Sequence, residues 1–306
     1  MNPTIDPNYT RQTLVDLVQI NSVNPDLSPD GAGEAVIGAY VAQALKTMGL
    51  AVTIYDLGSG RMNVVGTLKG TGHGRSLLLN AHMGTGGVGG MADPFGAGVR
   101  DGRLYGRGAQ DMKGSLAAMM GAVKALVDSG VKLAGDVLLT AVADEEYASI
   151  GTDDLVRHVT ADAAIVTEPT DLHLCRAHRG FVWLNLETTG RAAHGSRYKD
   201  GIDANMHMGR FLVELEKLSQ ELIQRPSHPL AGPPSLHASL LQGGSEISVY
   251  AARCLLKVER RTIPGETVAQ TTAELQAIID RLAAADPAFQ ATVQPFFDRD
   301  PFEVAA

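Results

Sequence analysis

The sequence predicts an α/β domain with a mostly parallel sheet, into which a smaller α+β domain is inserted. Two observations carry that prediction. In the first half, short apolar runs alternate with helical stretches, and three of those runs end in possible ligands: "SLLLNAH" (76–82), "DVLLTAVADEE" (136–146) and "AAIVTEP" (163–169). From about residue 180 the pattern becomes β-α-β-β-α-β, the order of a ferredoxin-like split sandwich.

The elements follow in order. Residues 8–19 and 33–48 have helical character. The three apolar runs are short and bounded by polar or turn residues, as suits buried strands of a parallel sheet. Between the first two runs, Leu116, Met119, Met120, Val123, Leu126 and Val127 recur at helical spacing, and Gly130 stops that helix. Core packing accounts for its methionines. Strands alternating with helices give the α/β class. In the second half, "FVWLNLETTG" points Val182, Leu184 and Leu186 one way. A helix with Met208, Phe211, Leu212, Leu215 and Leu218 on one stripe follows it. "SLHASLLQGG" and "ARCLLKVERRTI" alternate, the second turning Cys254, Leu256 and Val258 to one side. A helix in "TVAQTTAELQAIIDRLAAA" and a strand in "FQATVQPFF" complete the set.

Composition limits the function. A chain of 306 residues is long enough for two domains. Its net charge of −8 argues against nucleic acid and anionic membrane surfaces as partners. Cys175 and Cys254 are the only cysteines, which fits a reducing cytoplasm better than a disulfide framework. The opening "MNPTIDPNYT" has neither the basic nor the apolar region of a signal peptide, and no run is long enough to span a bilayer.

"NAHMGTGGVGGMADPF" (80–95) allows two readings. Gly84, Gly86 and Gly89 have the spacing of a dinucleotide loop, which would make the protein a nucleotide-dependent oxidoreductase. Such a loop must turn directly into a helix whose N-terminus holds the pyrophosphate. "MADPFGAGVRDGRLYGRG" follows instead, with no helical period. The second reading is a metal site. His82, Glu145, Glu146 and Glu168 stand at the carboxyl ends of the expected strands, where open α/β sheets keep their ligand crevice. Asp111 lies just before the helix at 115–129. Singly, each has a plainer role: a solvated acid pair, a helix cap, a structural histidine. Five at converging strand and helix ends favour the metal. Mixed imidazole and carboxylate ligands suit zinc, and cobalt or manganese can substitute. A carboxylate beside the metal then serves as general base, and adjacent Glu145 and Glu146 can divide the roles of base and ligand.

"LLLNAHM", "DPFGAGVRDGRLYGRGAQDMKGSLAAM", "AVADEEYASIGT", "TEP" and "RAAHGS" together resemble the metallopeptidase family of acetylornithine deacetylase, succinyl-diaminopimelate desuccinylase, aminoacylase and carboxypeptidase G. The likeness runs from about residue 10 to the end of the chain. It implies a two-zinc, aminopeptidase-like catalytic domain with an inserted lid that dimerises. The expected segments are 1–179 for the first part of the catalytic domain, 180–297 for the lid and 298–306 for the start of the return. By motif, His82 and Glu168 would bind one zinc, Glu146 the other, Asp111 would bridge them, and Glu145 would be the general base. His194 would steady the oxyanion in the partner's active site, and Arg261 would hold the substrate carboxylate. The implied activity is hydrolysis of N-acyl amino acids or small peptides in a cytoplasmic homodimer.

The chain departs from the family pattern at three points. Gly84 stands where the family carries an aspartate that orients the histidine, and losing such a group typically costs ~10–100-fold in metal affinity or activity. Restoring it by Gly84→Asp in a full-length version is therefore expected to raise turnover. Ser248, a substrate-binding candidate, replaces an asparagine. The sequence ends at "RDPFEVAA", before the family's last histidine ligand. One metal, near His82, Asp111 and Glu168, is the expected complement. The alternative is an inactive homologue that binds a ligand or partner.

Overall fold

Asp6 begins the first helix because its carboxylate accepts the N–H groups of Asn8 and Tyr9, two donors that the helix itself cannot satisfy. Pro7 then occupies the first turn of α1 (Pro7–Gln19), where its missing N–H costs nothing. The computed structural model describes residues 2–304, so Ala305 and Ala306 of the expected 298–306 segment lie outside the described residues. Two units form, Met1–Leu172 and His173–Ala306.

In the first unit, α2 (Ala35–Thr47) leads into an antiparallel hairpin of β1 (Ala51–Gly58) and β2 (Arg61–Leu68). The sequence reading assigns no elements to that hairpin. β3 (Leu77–His82) follows, then a small hairpin of β4 (Gly98–Arg100) and β5 (Arg103–Tyr105). An irregular turn, Ala109–Lys113, delivers the chain into α3 (Gly114–Ser129). Gly130 ends α3 in a left-handed conformation, φ 65°, which glycine adopts without a β-carbon penalty. β6 (Val137–Val142), α4 (Ile150–Leu155) and β7 (Ala163–Val166) complete the unit.

The five-stranded sheet has the order β1-β2-β6-β3-β7. β3 pairs in parallel with both β6 and β7, while the β1–β2 hairpin joins β6 antiparallel. Leu17 of α1, Ile37, Val41 and Leu45 of α2, and Leu116, Met120 and Val123 of α3 form one buried core with Val64, Ala81 and Leu139 of the sheet. Each of the larger side chains contributes roughly 1.5–3 kcal/mol on burial. This fixes β3 and β6 against three helices, and β7 is held in place through its parallel pairing with β3.

In the second unit, short β8 (Ala177–His178) precedes β9 (Gly180–Thr189), α5 (Ala204–Gln224), β10 (Ser235–Gly243), β11 (Arg253–Thr262), α6 (Val268–Ala285), β12 (Gln290–Arg299) and β13 (Phe302–Glu303). β13 pairs with β8. The four long strands form an antiparallel sheet in the order β10-β11-β9-β12. Val182, Leu184 and Leu186 pack with Cys254, Leu256 and Val258 beneath Met208, Phe211 and Leu215 of α5 and Leu275 and Ile278 of α6. Period-two and helical patterns meet in one core, as the sequence predicts. Cys254 is buried there, and Cys175 is exposed. No helix among the described residues is long and apolar enough to cross a membrane.

Candidate metal centre

His82 is the last residue of β3, and its side chain is only 1% exposed. Its Nδ1 donates to the Gly84 carbonyl at 2.8 Å, which leaves Nε2 as the nitrogen that can face an ion. Three carboxylates surround that nitrogen. Asp111 Oδ1 is 3.1 Å away, Glu145 Oε2 3.6 Å and Glu168 Oε1 3.8 Å. Asp111 comes from the turn before α3. Glu145 and Glu146 follow β6 in a turn that begins just past the strand end. Glu168 lies two residues beyond β7. The acids therefore sit on loops rather than on the strands themselves. Glu146 is drawn towards the glycine loop, where its Oε1 accepts the Gly86 N–H at 3.1 Å.

Among the described residues, two groups of three converge within 4.8 Å: His82 with Glu145 and Glu168, and His82 with Asp111 and Glu146. They share the single free nitrogen of His82, so only one ion at a time can take it. Four acids crowd one imidazole, and their electrostatics record it. Burial pushes the Glu168 carboxyl up to about 7, and Glu145, Asp111 and Glu146 add to the rise against the opposing pull of His82. Burial likewise raises Glu145. Its hydrogen bond with His82 holds Asp111 below the usual carboxylate range. Burial opposes charge on His82, yet Asp111, Glu145 and Glu168 together lift it to about 9. Neighbouring acids that repel one another around an oriented imidazole are the donor set a small divalent cation stabilises. The residues fit a metal.

The glycine loop contains no helix between residues 84 and 108, so nothing there offers pyrophosphate a helix N-terminus.

In the second unit, His194 and Ser248 lie on adjoining loops although far apart in sequence. Gly195 N–H donates to the Ser248 carbonyl, and His194 bridges to Val249. His194 Nδ1 is 2.9 Å from Ser196 Oγ. The two adjacent arginines of β11 separate cleanly. Arg260 is fully buried and gives both Nη atoms to Glu266. Arg261 is 39% exposed, 3.3 Å from Glu259 and above the Phe181 ring.

Sequence reasoning missed a buried polar group behind the acids, formed by Glu34, Arg61, Asp144 and Asn24. Asp144 belongs to the same "DEE" run as Glu145 and Glu146, which was the one available signal. Glu34 and Arg61 carry none.

Residues 78–304 match the family described as Peptidase family M20/M25/M40. The chain is 29% identical over 278 residues to the N-formyl-4-amino-5-aminomethyl-2-methylpyrimidine deformylase of Bacillus subtilis (strain 168), covering 85% of this chain and 65% of that protein. It is 31% identical over 253 residues to the acetylornithine deacetylase of Myxococcus xanthus, covering 78% of this chain and 63% of the other. It thus spans somewhat under two thirds of the length of these relatives. Among solved structures, aminopeptidase PepT from Bacillus cereus superposes with a TM-score of 0.76 at 18% identity, over 99% of this chain and 79% of that one. An M20 family metallo-carboxypeptidase from Sulfolobus solfataricus gives a TM-score of 0.76 at 16% identity, over 98% and 80%. Likeness at that identity concerns the fold.

Proposed function

The chain belongs to peptidase family M20/M25/M40, and from that premise we propose that it is a metal-dependent amidohydrolase that cleaves the amide of N-acyl amino acids or small peptides. One observation supports this most: His82, buried and oriented through Nδ1, turns its remaining nitrogen to three carboxylates within 4 Å. His82, Asp111 and Glu168 would hold the ion, with Glu146 available to a second one; zinc is preferred for this mixed donor set, with cobalt or manganese able to replace it. When bound, the ion polarises the scissile carbonyl and acidifies water.

The chain's own groups do the rest. Glu145 accepts a proton from the attacking water as its oxygen adds to the carbonyl carbon. The same carboxyl returns that proton to the amine nitrogen as the C–N bond breaks, giving a carboxylate and a free amine. Half-exposed Arg261 offers a bidentate guanidinium to a substrate carboxylate, with Ser248 as a further polar contact. His194 steadies the oxyanion of a neighbouring copy. That role requires a homodimer through the second unit, the lid, whose edge strand β10 leaves Leu240 and Leu241 exposed. The free cysteines Cys175 and Cys254 suit the cytoplasm.

The test is hydrolysis of N-acetylornithine, N-formylated amines and dipeptides by zinc-loaded protein, with a Glu145→Gln control. Amide cleavage that Glu145→Gln abolishes supports the proposal. Tight zinc binding without hydrolysis of any of them overturns it in favour of an inactive, ligand-binding homologue.

A further inference from the structure

Behind the acids lies a second set of charges that the proposed reaction does not use. Glu34, Asp144 and Arg61 are 0%, 1% and 4% exposed. Glu34 reaches in from the residue before α2, and its Oε1 accepts the Asp144 N–H at 3.1 Å. Arg61 places Nη1 2.5 Å from Asp144 Oδ1 and Nε 3.9 Å from Glu34 Oε2. Asn24 completes the group, donating to Asp144 Oδ1 at 2.6 Å and accepting from Arg61. Burying several charges is costly, and two acids here share one buried arginine. A hydrophobic cluster would fill the space at less cost.

Gly84 shows what Glu34 does. A β-carbon on Gly84 would lie 2.6 Å from Glu34 Oε1 and 3.5 Å from its Cδ. The Glu34 carboxylate therefore fills the volume into which an aspartate at 84 would project its own. Gly84 is also the residue whose carbonyl orients His82. Asp144, held by the same carboxylate, immediately precedes Glu145 and Glu146.

We infer that Glu34 is the positioning residue of the metal centre: its carboxylate reaches in from another element, occupies the place of a side chain at 84, and sets the spacing between the loop that follows His82 and the turn that carries Glu145 and Glu146. This rests on the metal-centre reading above. It makes glycine at 84 a requirement, because any side chain there must displace Glu34. It also reverses the expectation from sequence that Gly84→Asp raises turnover. With Glu34 in place, the new aspartate meets a carboxylate that already fills its site.

Zinc affinity, read by chelator competition on Glu34→Gln, Gly84→Asp and the pair Glu34→Ala/Gly84→Asp, tests the inference together with the melting temperature of the metal-free proteins. Glu34→Gln keeps the shape and should lose about 10–100-fold in zinc affinity, the usual cost of an outer-shell partner, while the metal-free protein melts close to wild type. Gly84→Asp should lose at least as much. The pair should return to within about threefold of wild type, because the two sites couple through one shared volume. If Glu34→Gln and Glu34→Ala/Gly84→Asp do not fold, Gly84→Ala and the milder Glu34→Asp/Gly84→Ala, which keeps the buried charge, replace them. The added methyl should weaken zinc binding, and the shortened acid should restore it. Wild-type protein that binds zinc while Glu34→Gln binds it equally well overturns this inference alone. So does a double variant no better than its single parents. Wild-type protein that holds no zinc overturns the metal-centre reading, and the inference with it.

Discussion

The Nδ1 of His82 and the carbonyl oxygen of Gly84 are 2.8 Å apart, so the imidazole has one nitrogen committed before any ligand arrives. Nε2 alone faces the acids. The two sets of converging donors both include it, and they compete for one ion. We expect one tightly held divalent ion per chain, and His82→Ala should remove it. Metal analysis after exhaustive dialysis checks both points. Two tight equivalents on wild type, or one retained by His82→Ala, would show that the acids alone suffice.

Among the described residues, Arg61 is the cation that pairs with both Glu34 and Asp144, and Asp26 is its third, more exposed partner at 2.8 Å. Arg61→Met leaves two buried carboxylates facing each other. The expected cost is about 3–5 kcal/mol, as for other buried pairs broken from one side. Denaturant unfolding of the metal-free protein measures it. A loss below about 1 kcal/mol would mean that water or a proton already compensates Glu34.

Much of the acid cluster was legible because most of its members follow the end of a local pattern. "LLLNAH" and "AAIVTEP" are apolar runs that stop at a polar residue, and a parallel sheet gathers such stops at one end. Glu34 and Arg61 offer no comparable signal. A glutamate before a helix reads as a partner for the helix dipole, and an arginine in a strand as solvated. Only the sheet order brings Glu34 to Asp144, 110 residues away in sequence. The β1–β2 hairpin escaped for a related reason. β1 is mostly exposed and β2 mostly buried, so no single period runs through both.

Arg260 and Arg261 are adjacent in sequence and opposite in consequence. Arg260→Met should destabilise the second unit by about 3–5 kcal/mol, because it strands Glu266, its bidentate partner, while Glu274 keeps Arg225. Arg261→Met should stay within about 0.5 kcal/mol of wild type, as surface changes do. Its effect should appear instead as a raised KM for substrates that carry a carboxylate, with little change for esterified ones. Equal losses of stability in both variants would remove Arg261 from the substrate site.

His207 of α5 is buried against the Phe289 ring, and burial together with nearby Arg210 lowers its pKa. The unfolded chain therefore binds a proton at a pH where the folded chain resists it. The contribution of neutral His207 is complete above its unfolded pKa, near 6.5, and is lost as the pH falls through the lower folded value. Thermal melts between pH 8 and pH 5 should show a steeper acid loss for wild type than for His207→Gln. Parallel curves would place the acid sensitivity in other groups.

β7 closes one edge of the first unit's sheet, and every one of its residues is exposed. Ile165 and Val166 present 48% and 59% of their surface, and Leu172 at the end of the unit is more open still. The outer edge of such a strand offers a row of N–H and C=O groups, and apolar side chains beside it reward any chain that covers them. The protein should self-associate through this edge, separately from any pairing through β10. The two contacts differ in what weakens them. Ile165→Lys with Val166→Lys places two like charges on the β7 edge and should lower the sedimentation-derived association without affecting the β10 edge. Leu240→Lys with Leu241→Lys should do the converse. A protein that stays associated in the β7 variant and dissociates fully in the β10 variant would assign all self-association to the second unit. The exposed β7 residues would then have no part in it.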